Sequence, residues 1–262
     1  MGSALRRNWP EYLIEAGLLA AFMLSALSFA TLLEHPDSPV RAALPDALVR
    51  RAWMGLAMGA TAVALVYSPF GQRSGAHFNP AFTLTYLRLG KVRRADAAGY
   101  VAAHFAGAIA GVALAALLLG PRVAHPAVRF AATVPGPAGP LAAFAAEAAI
   151  SFGLMSLVLR STAHPRLAPC TGLLAGALVA TWITLEAPLS GTSMNPARSL
   201  GSALASGVFE ALWIYFAAPL LGMLAAAELY VRRRGPAAVA CAKLHHAARR
   251  RCIHCGLPAA AA

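Results

Sequence analysis

The sequence predicts an all-α membrane protein in which six transmembrane helices and two half-spanning, re-entrant helices form an inverted repeat. Three observations carry that prediction. Of 262 residues, 59% are hydrophobic and 12% charged, with a mean hydropathy of +0.62, which leaves too little polar surface for a soluble globule. The apolar residues fall in blocks long enough to cross about 30 Å of hydrocarbon, a distance that takes roughly 20 helical residues. The tripeptide Asn-Pro-Ala also occurs twice, at Asn79-Pro80-Ala81 and Asn195-Pro196-Ala197, 116 residues apart.

Taken in order, the full spans are expected at about 11–33, 52–70, 97–119, 141–160, 170–188 and 211–231. A basic pair, Arg6 and Arg7, precedes the first. The apolar stretch after it is too long for a removable signal segment, so the first span is retained. An even number of spans puts both termini on one side. Assigning that side as cytoplasm gathers 16 of the 22 Lys and Arg residues there, from Arg6 and Arg7 through Arg88, Lys91, Arg93 and Arg94 to Arg232, Arg233 and Arg234. The opposite side receives Arg41, Arg50, Arg51, Arg122 and Arg129. This asymmetry predicts a multi-pass protein of the cell (inner) membrane with cytoplasmic termini. The net charge of +12 therefore reads as a set of topology determinants, and no nucleic-acid partner is expected. Arg198 belongs to neither side.

Two apolar stretches are too short to span. One follows the second span, from Ser74 to Thr85, and the other follows the fifth, from Ser190 to Gly201. Each is a small-residue segment, then Asn-Pro-Ala, then about two helical turns. Asn is a strong N-cap and Pro is favoured at the first helical position, so each tripeptide marks a short helix start with irregular chain before it.

The halves match elsewhere: Glu15-Ala16 precedes Met23, and Glu147-Ala148 precedes Met155, at the same spacing in spans one and four. Three spans per half make the second half enter from the opposite face. Non-helical backbone at membrane depth is tolerated only inside protein or along a water-filled cavity. The two short helices should therefore meet near the midplane with their N-termini on a lumen. Each presents roughly half a positive elementary charge, and the Asn79 and Asn195 amides add donors. Cations are repelled there, while carbonyls of residues 75–78 and 191–194 offer acceptors to small, uncharged polar cargo.

On these residues the chain resembles the aquaporin and glycerol-facilitator family, the major intrinsic proteins. The paired motifs, with Arg198 directly after the second, carry the likeness over residues 11 to about 231. The resemblance implies an aquaporin-like channel domain over 11–231, with halves of about 11–120 and 141–231. It further implies a homotetramer with one pore per subunit, an outer constriction that includes Arg198, and passive flow of water. Ser199, Ala203 and the pair Tyr215-Phe216 resemble the water-channel branch. At the outer filter the chain departs from that branch. By alignment Ile183 stands where a His is usual, Thr192 fills the small-residue site, and either Met58 or Gly59 replaces a Phe. The constriction should then be wider and less polar, with room for glycerol, urea or ammonia.

Glu15 and Glu147 are expected to accept hydrogen bonds from the amides of the two irregular loops, and His77 to be a structural hydrogen-bonding residue. The functional alternative makes the two glutamates a proton relay in a proton-coupled secondary transporter. A scaffold with an occluded pore is a third class. An enzyme is not expected, because no nucleophile, base and orienter set is present. The segment 1–10 is read as a cytoplasmic N-terminus and 232–262 as a basic cytoplasmic tail, with residues 256–262 disordered and its arginines against lipid headgroups. In that tail Cys241, His245, His246, Cys252 and Cys255 form a pattern, Cys, three residues, His245, then six residues to Cys-x-x-Cys, that zinc could accept. The competing reading is a set of reduced, unliganded thiols, so no cofactor or metal is expected. Water, small neutral solutes and membrane lipid complete the expected partners.

Overall fold

The computed structural model describes residues 2–239, 241–246 and 252–256, with side chains from Arg6 onward. Tail residues 247–251 and 257–262, including Arg249, Arg250 and Arg251 and most of the segment expected to be disordered, lie outside the described residues, whereas Arg232, Arg233 and Arg234 form the last turn of the helix Ile214–Arg234.

The described chain is helical: α1 (Gly2–Glu34), α2 (Pro39–Ala43), α3 (Ala47–Tyr67), α4 (Pro69–Ser74), α5 (Pro80–Arg88), α6 (Arg94–Leu119), α7 (Gly139–Thr162), α8 (Thr171–Leu185), α9 (Ala187–Ser190), α10 (Pro196–Ser206) and α11 (Ile214–Arg234). Six of these, α1, α3, α6, α7, α8 with the turn before it from Ala168, and α11, are long and apolar enough to cross a membrane. They coincide with the expected spans to within about five residues at each end, except that α1 begins at Gly2, inside the segment 1–10 expected to precede the first span. The second span begins at Ala47, where Asp46 accepts from the amides of Leu48 (2.7 Å) and Val49 (2.9 Å). These hydrogen bonds to the carboxylate lower the Asp46 pKa. That span stops at Tyr67 rather than residue 70, because Pro69 has no amide to continue the ladder and instead opens α4 under a Ser68 cap. The fifth span ends at Leu185 rather than 188, and Pro188 sits in the first turn of α9.

Within each half one pair of spans packs closely, α1 against α6 and α7 against α11. The close approaches are equivalent. A side chain at Gly107 would run into the backbone of Ala16, and one at Gly222 into that of Ala148, the residues directly after the two glutamates. Across the halves α3 meets α8, with Gly59 and Gly176 backbone to backbone. Small residues at such crossings let helices approach where lipid offers no hydrophobic incentive. The polarity is inverted relative to a soluble domain. Leu141 and Leu117 are 82% and 80% exposed while Glu15, Glu147 and His104 are fully buried, as hydrocarbon outside and polar groups inside require. The N-terminal part of α1 is tied to the first turn of α6, where Asp96 accepts from Asn8 (2.8 Å) and Tyr12 (2.7 Å).

Candidate functional site

The site grows from the two irregular loops, residues 75–79 and 191–195. Both turn out of a short helix through a left-handed glycine, Gly75 (φ 116°) and Gly191 (φ 85°), a conformation that costs other residues more. The next unusual dihedrals also pair. Ala76 and Phe78 in the first loop, and Thr192 and Met194 in the second, have positive φ. Non-glycine residues hold that region only where the surroundings impose it.

The surroundings are the buried glutamates. Glu15 accepts from the amides of His77 (3.1 Å) and Phe78 (2.6 Å) and contacts His104 Nε2 at 2.9 Å. Glu147 accepts from the amides of Ser193 (2.5 Å) and Met194 (2.8 Å) and from the Ser190 hydroxyl (2.8 Å). Two tyrosines brace the same loops from behind. Tyr100 donates to the Ser74 carbonyl at 2.7 Å and Tyr215 to the Ser190 carbonyl at 2.6 Å.

Each loop ends on an asparagine in extended conformation. Asn79 Oδ1 caps the amide of Ala81 at 2.9 Å, and Asn195 Oδ1 caps those of Ala197 (3.1 Å) and Arg198 (3.3 Å). Their Nδ2 atoms cross over, Asn79 to the Met194 carbonyl (2.7 Å) and Asn195 to the Phe78 carbonyl (2.8 Å). The half-helices α5 and α10 are therefore joined tip to tip. A carboxamide carries two N–H groups, so each asparagine retains one donor beyond the crossing bond. The acceptor lane expected from residues 75–78 and 191–194 is partly engaged: Phe78 and Met194 carbonyls take the asparagine bonds, and the Gly75 carbonyl takes the Leu244 amide at 3.2 Å.

A cavity of about 230 Å³ runs past these tips, from Glu34 and Arg51 at one end to Gly172 and Leu244 at the other. Helical periodicity builds its walls: Phe22, Ala26, Ala30 and Leu33 from α1, Met54, Met58, Ala62 and Val66 from α3, and Gly172, Ala175, Val179 and Ile183 from α8. The site residues Asn79, Asn195, Thr192, Ile183 and Arg198 all line it, and so does His77. Pro80, Ala81, Pro196 and Ala197 are buried in the first turns behind the tips.

Met58 lines the cavity and Gly59 does not. Gly59 is turned into the α3–α8 crossing, where its lack of a side chain admits the Gly176 carbonyl. The crossing also fixes register: Gly55 abuts Ala180 and Thr184, which sets Met54 level with Ile183 and Met58 a turn deeper. Met54 is thus a wall residue the motif alignment missed. Glu186 was missed as well. It is buried beside the second loop and accepts from Thr192 Oγ1 at 2.6 Å. Arg198 carries a buried Nη1 with no hydrogen-bond partner among the described residues.

His77 is clamped, with Nε2 donating to the Ala242 carbonyl (2.6 Å) and Nδ1 against the Thr83 hydroxyl (2.8 Å). The tail is therefore docked on the first loop. Among its thiols the expected imidazole changes. Cys241, Cys252 and Cys255 gather around His246, while His245 packs edge-on against Tyr67 at 5.1 Å.

Comparison with known proteins agrees with this geometry. A family model described as Major intrinsic protein matches residues 8–230. Aquaporin NIP1-1 of Zea mays is 33% identical over 178 residues, 68% of this chain and 61% of the relative. Glycerol uptake facilitator protein-like 6 of Lactiplantibacillus plantarum is 34% identical over 200 residues, 74% of this chain and 83% of the relative. The chain spans about three fifths of the length of the maize relative. The aquaglyceroporin from Plasmodium falciparum superposes with a TM-score of 0.69 at 20% identity, over 87% of this chain and 98% of that one, a likeness of fold. With two capped half-helices joined inside six spans, and a family match over most of its length, the chain belongs to the major intrinsic protein family.

Proposed function

We propose that the protein is a passive channel for water and small uncharged solutes such as glycerol, urea or ammonia. The observation that carries the reading is the tip-to-tip meeting of α5 and α10 on a cavity that extends to both ends of the bundle. Two helix N-termini aim positive partial charge at one point of the path, and the spare asparagine donors lie there too. A water at that point donates outward to carbonyls and accepts from the asparagines, so a proton cannot pass down an unbroken chain. Cations meet the same dipoles and then Arg198, whose Nη1 has no partner among the described residues. Ile183, Met54 and Thr192 make the wall near Arg198 largely apolar, which suits a small polyol as well as water. We further propose cytoplasmic termini, insertion in the cell membrane and assembly as a homotetramer with one pore in each subunit.

A proton-coupled transporter would need Glu15 and Glu147 on the path. Neither lines the cavity, and the oxygens of both are engaged by the loops.

The test is stopped-flow shrinkage of proteoliposomes against sucrose, glycerol and urea, with a pH-sensitive dye inside. Water flux well above that of empty liposomes, with low activation enthalpy and no proton signal, is expected. Flux equal to empty liposomes would overturn the function. In the same assay Arg198→Val should broaden the range of solutes that enter, and an unchanged range removes Arg198 from the filter.

A further inference from the structure

Beyond α11 the described residues of the chain fold back over the end of the cavity lined by Gly172 and Leu244. Lys243 is 2% exposed and donates from Nζ to the Gln72 carbonyl at 2.9 Å. The Leu244 amide donates to the Gly75 carbonyl, and His254 Nε2 to the Ser74 carbonyl at 3.1 Å. His254 also stacks on His77, with ring centroids 5.4 Å apart and planes 10° from parallel. These partners are the backbone immediately before Asn79.

The consequence falls on Leu244. It is buried among Val66, Ala76, Phe82, Val158 and Ala175, each of which also lines the cavity. A second cavity, of about 420 Å³, opens on the other side of it, walled by Thr162, Pro165, Ala168 and Pro169 and by the tail. Leu244 lines both, so this residue stands between the pore and this vestibule.

Three thiols and an imidazole stand in the tail near that residue. Cys241 Sγ lies 3.5 Å from Cys252 Sγ, and His246 Nε2 lies 3.2 Å from Cys255 Sγ. All four ligand atoms fall within 4.8 Å of one another, and all the cysteines are free. A tetrahedron with Zn–S near 2.3 Å and Zn–N of 2.0–2.1 Å has edges of about 3.5–3.8 Å, so the atoms need to move only slightly to enclose an ion. Thiolate and imidazole select zinc-class ions over magnesium or calcium. Cys255 is exposed and Cys241, His246 and Cys255 line the vestibule, which gives an ion a way in.

We propose that Cys241, His246, Cys252 and Cys255 bind a zinc-class ion, and that the bound ion holds the tail across the pore mouth with Leu244 as its stopper. Binding displaces the protons of the three thiols and leaves a cluster of net charge −1. The ion closes a loop between Cys241 and Cys255, and that closure keeps Lys243 and Leu244 in place between their neighbours. The metal site stands on its own geometry, whereas the stopper rests on the channel reading above.

The experiment uses the full chain, purified with zinc and passed over a sizing column. Equimolar zinc is expected by elemental analysis, with its loss in the double variant Cys252→Ser, Cys255→Ser. Cobalt(II) in place of zinc should give the thiolate-to-metal charge-transfer absorption of a tetrahedral site. In proteoliposomes, a membrane-permeant chelator should raise water permeability several-fold, and Leu244→Ala should do so with zinc still bound. Zinc no higher than in the double variant, or a Cys241–Cys252 disulfide in the freshly purified chain, would overturn the metal site. Bound zinc with permeability indifferent both to chelator and to Leu244→Ala, in vesicles that conduct, would overturn the stopper. Equimolar zinc in vesicles that conduct nothing, chelated or not, would sink the channel reading and the stopper with it and leave the metal site standing.

Discussion

Glu147 has no room for a change of hydrogen-bond sign. Oε1 accepts from the Ser193 amide and the Ser190 hydroxyl, and Oε2 accepts from the Met194 amide. A glutamine must point its NH₂ at one of those N–H donors, which breaks one bond and leaves a buried amide unpaired, at a cost of about 1–3 kcal/mol. Glu147→Gln is therefore expected to lower the thermal unfolding midpoint in detergent while the solute profile of the folded fraction stays that of the parent. An unchanged midpoint would show that the loop does not depend on those bonds. The role of the two glutamates is readable in the sequence because each stands at the same distance from a methionine in an apolar span, where a lone carboxylate needs partners. Glu186 is not readable that way. Its significance comes from the turn at α9 that brings it back to Thr192, and nothing in the local pattern announces that turn.

At the scale of the element, the half-helices are legible because their chemistry is local: asparagine caps, proline follows, glycine turns the chain beforehand. The wall of the cavity is legible only in part. The fourfold spacing of Met54, Met58, Ala62 and Val66 marks a helix face, but which of them stands beside Ile183 depends on how α3 registers on α8 through Gly55 and Gly59. An alignment that counts residues cannot see that register, and so it divided the position between Met58 and Gly59 and passed over Met54. The same close-packing logic gives a prediction for α1 and α6. Gly107→Val would force a side chain into the Ala16 backbone, an overpacking that costs about 1–3 kcal/mol or more. Gly17→Val, on α1 with open space around it, should stay within about 0.5 kcal/mol. Thermal midpoints of the two variants compare them directly, and equal midpoints would remove the packing argument.

At the scale of the molecule, the six spans and the inverted repeat follow from hydropathy and from one repeated tripeptide. The docked tail does not. Its position is set by carbonyls of residues 72–75 that the short helix α4 leaves free at its C-terminal end, and no periodicity within 241–256 reveals an appointment with that backbone. The two halves also complete one another. The Phe78 carbonyl is satisfied by Asn195 and the Met194 carbonyl by Asn79, so each half supplies what the other lacks at a depth where no solvent substitutes. A chain cut between the exposed residues Pro126 and Ala127 is expected to regain water flux when both pieces are co-expressed. Flux from either piece alone would contradict this. Each piece on its own brings an unmet valence into oil, and the smallest object that can carry passage is the mated pair.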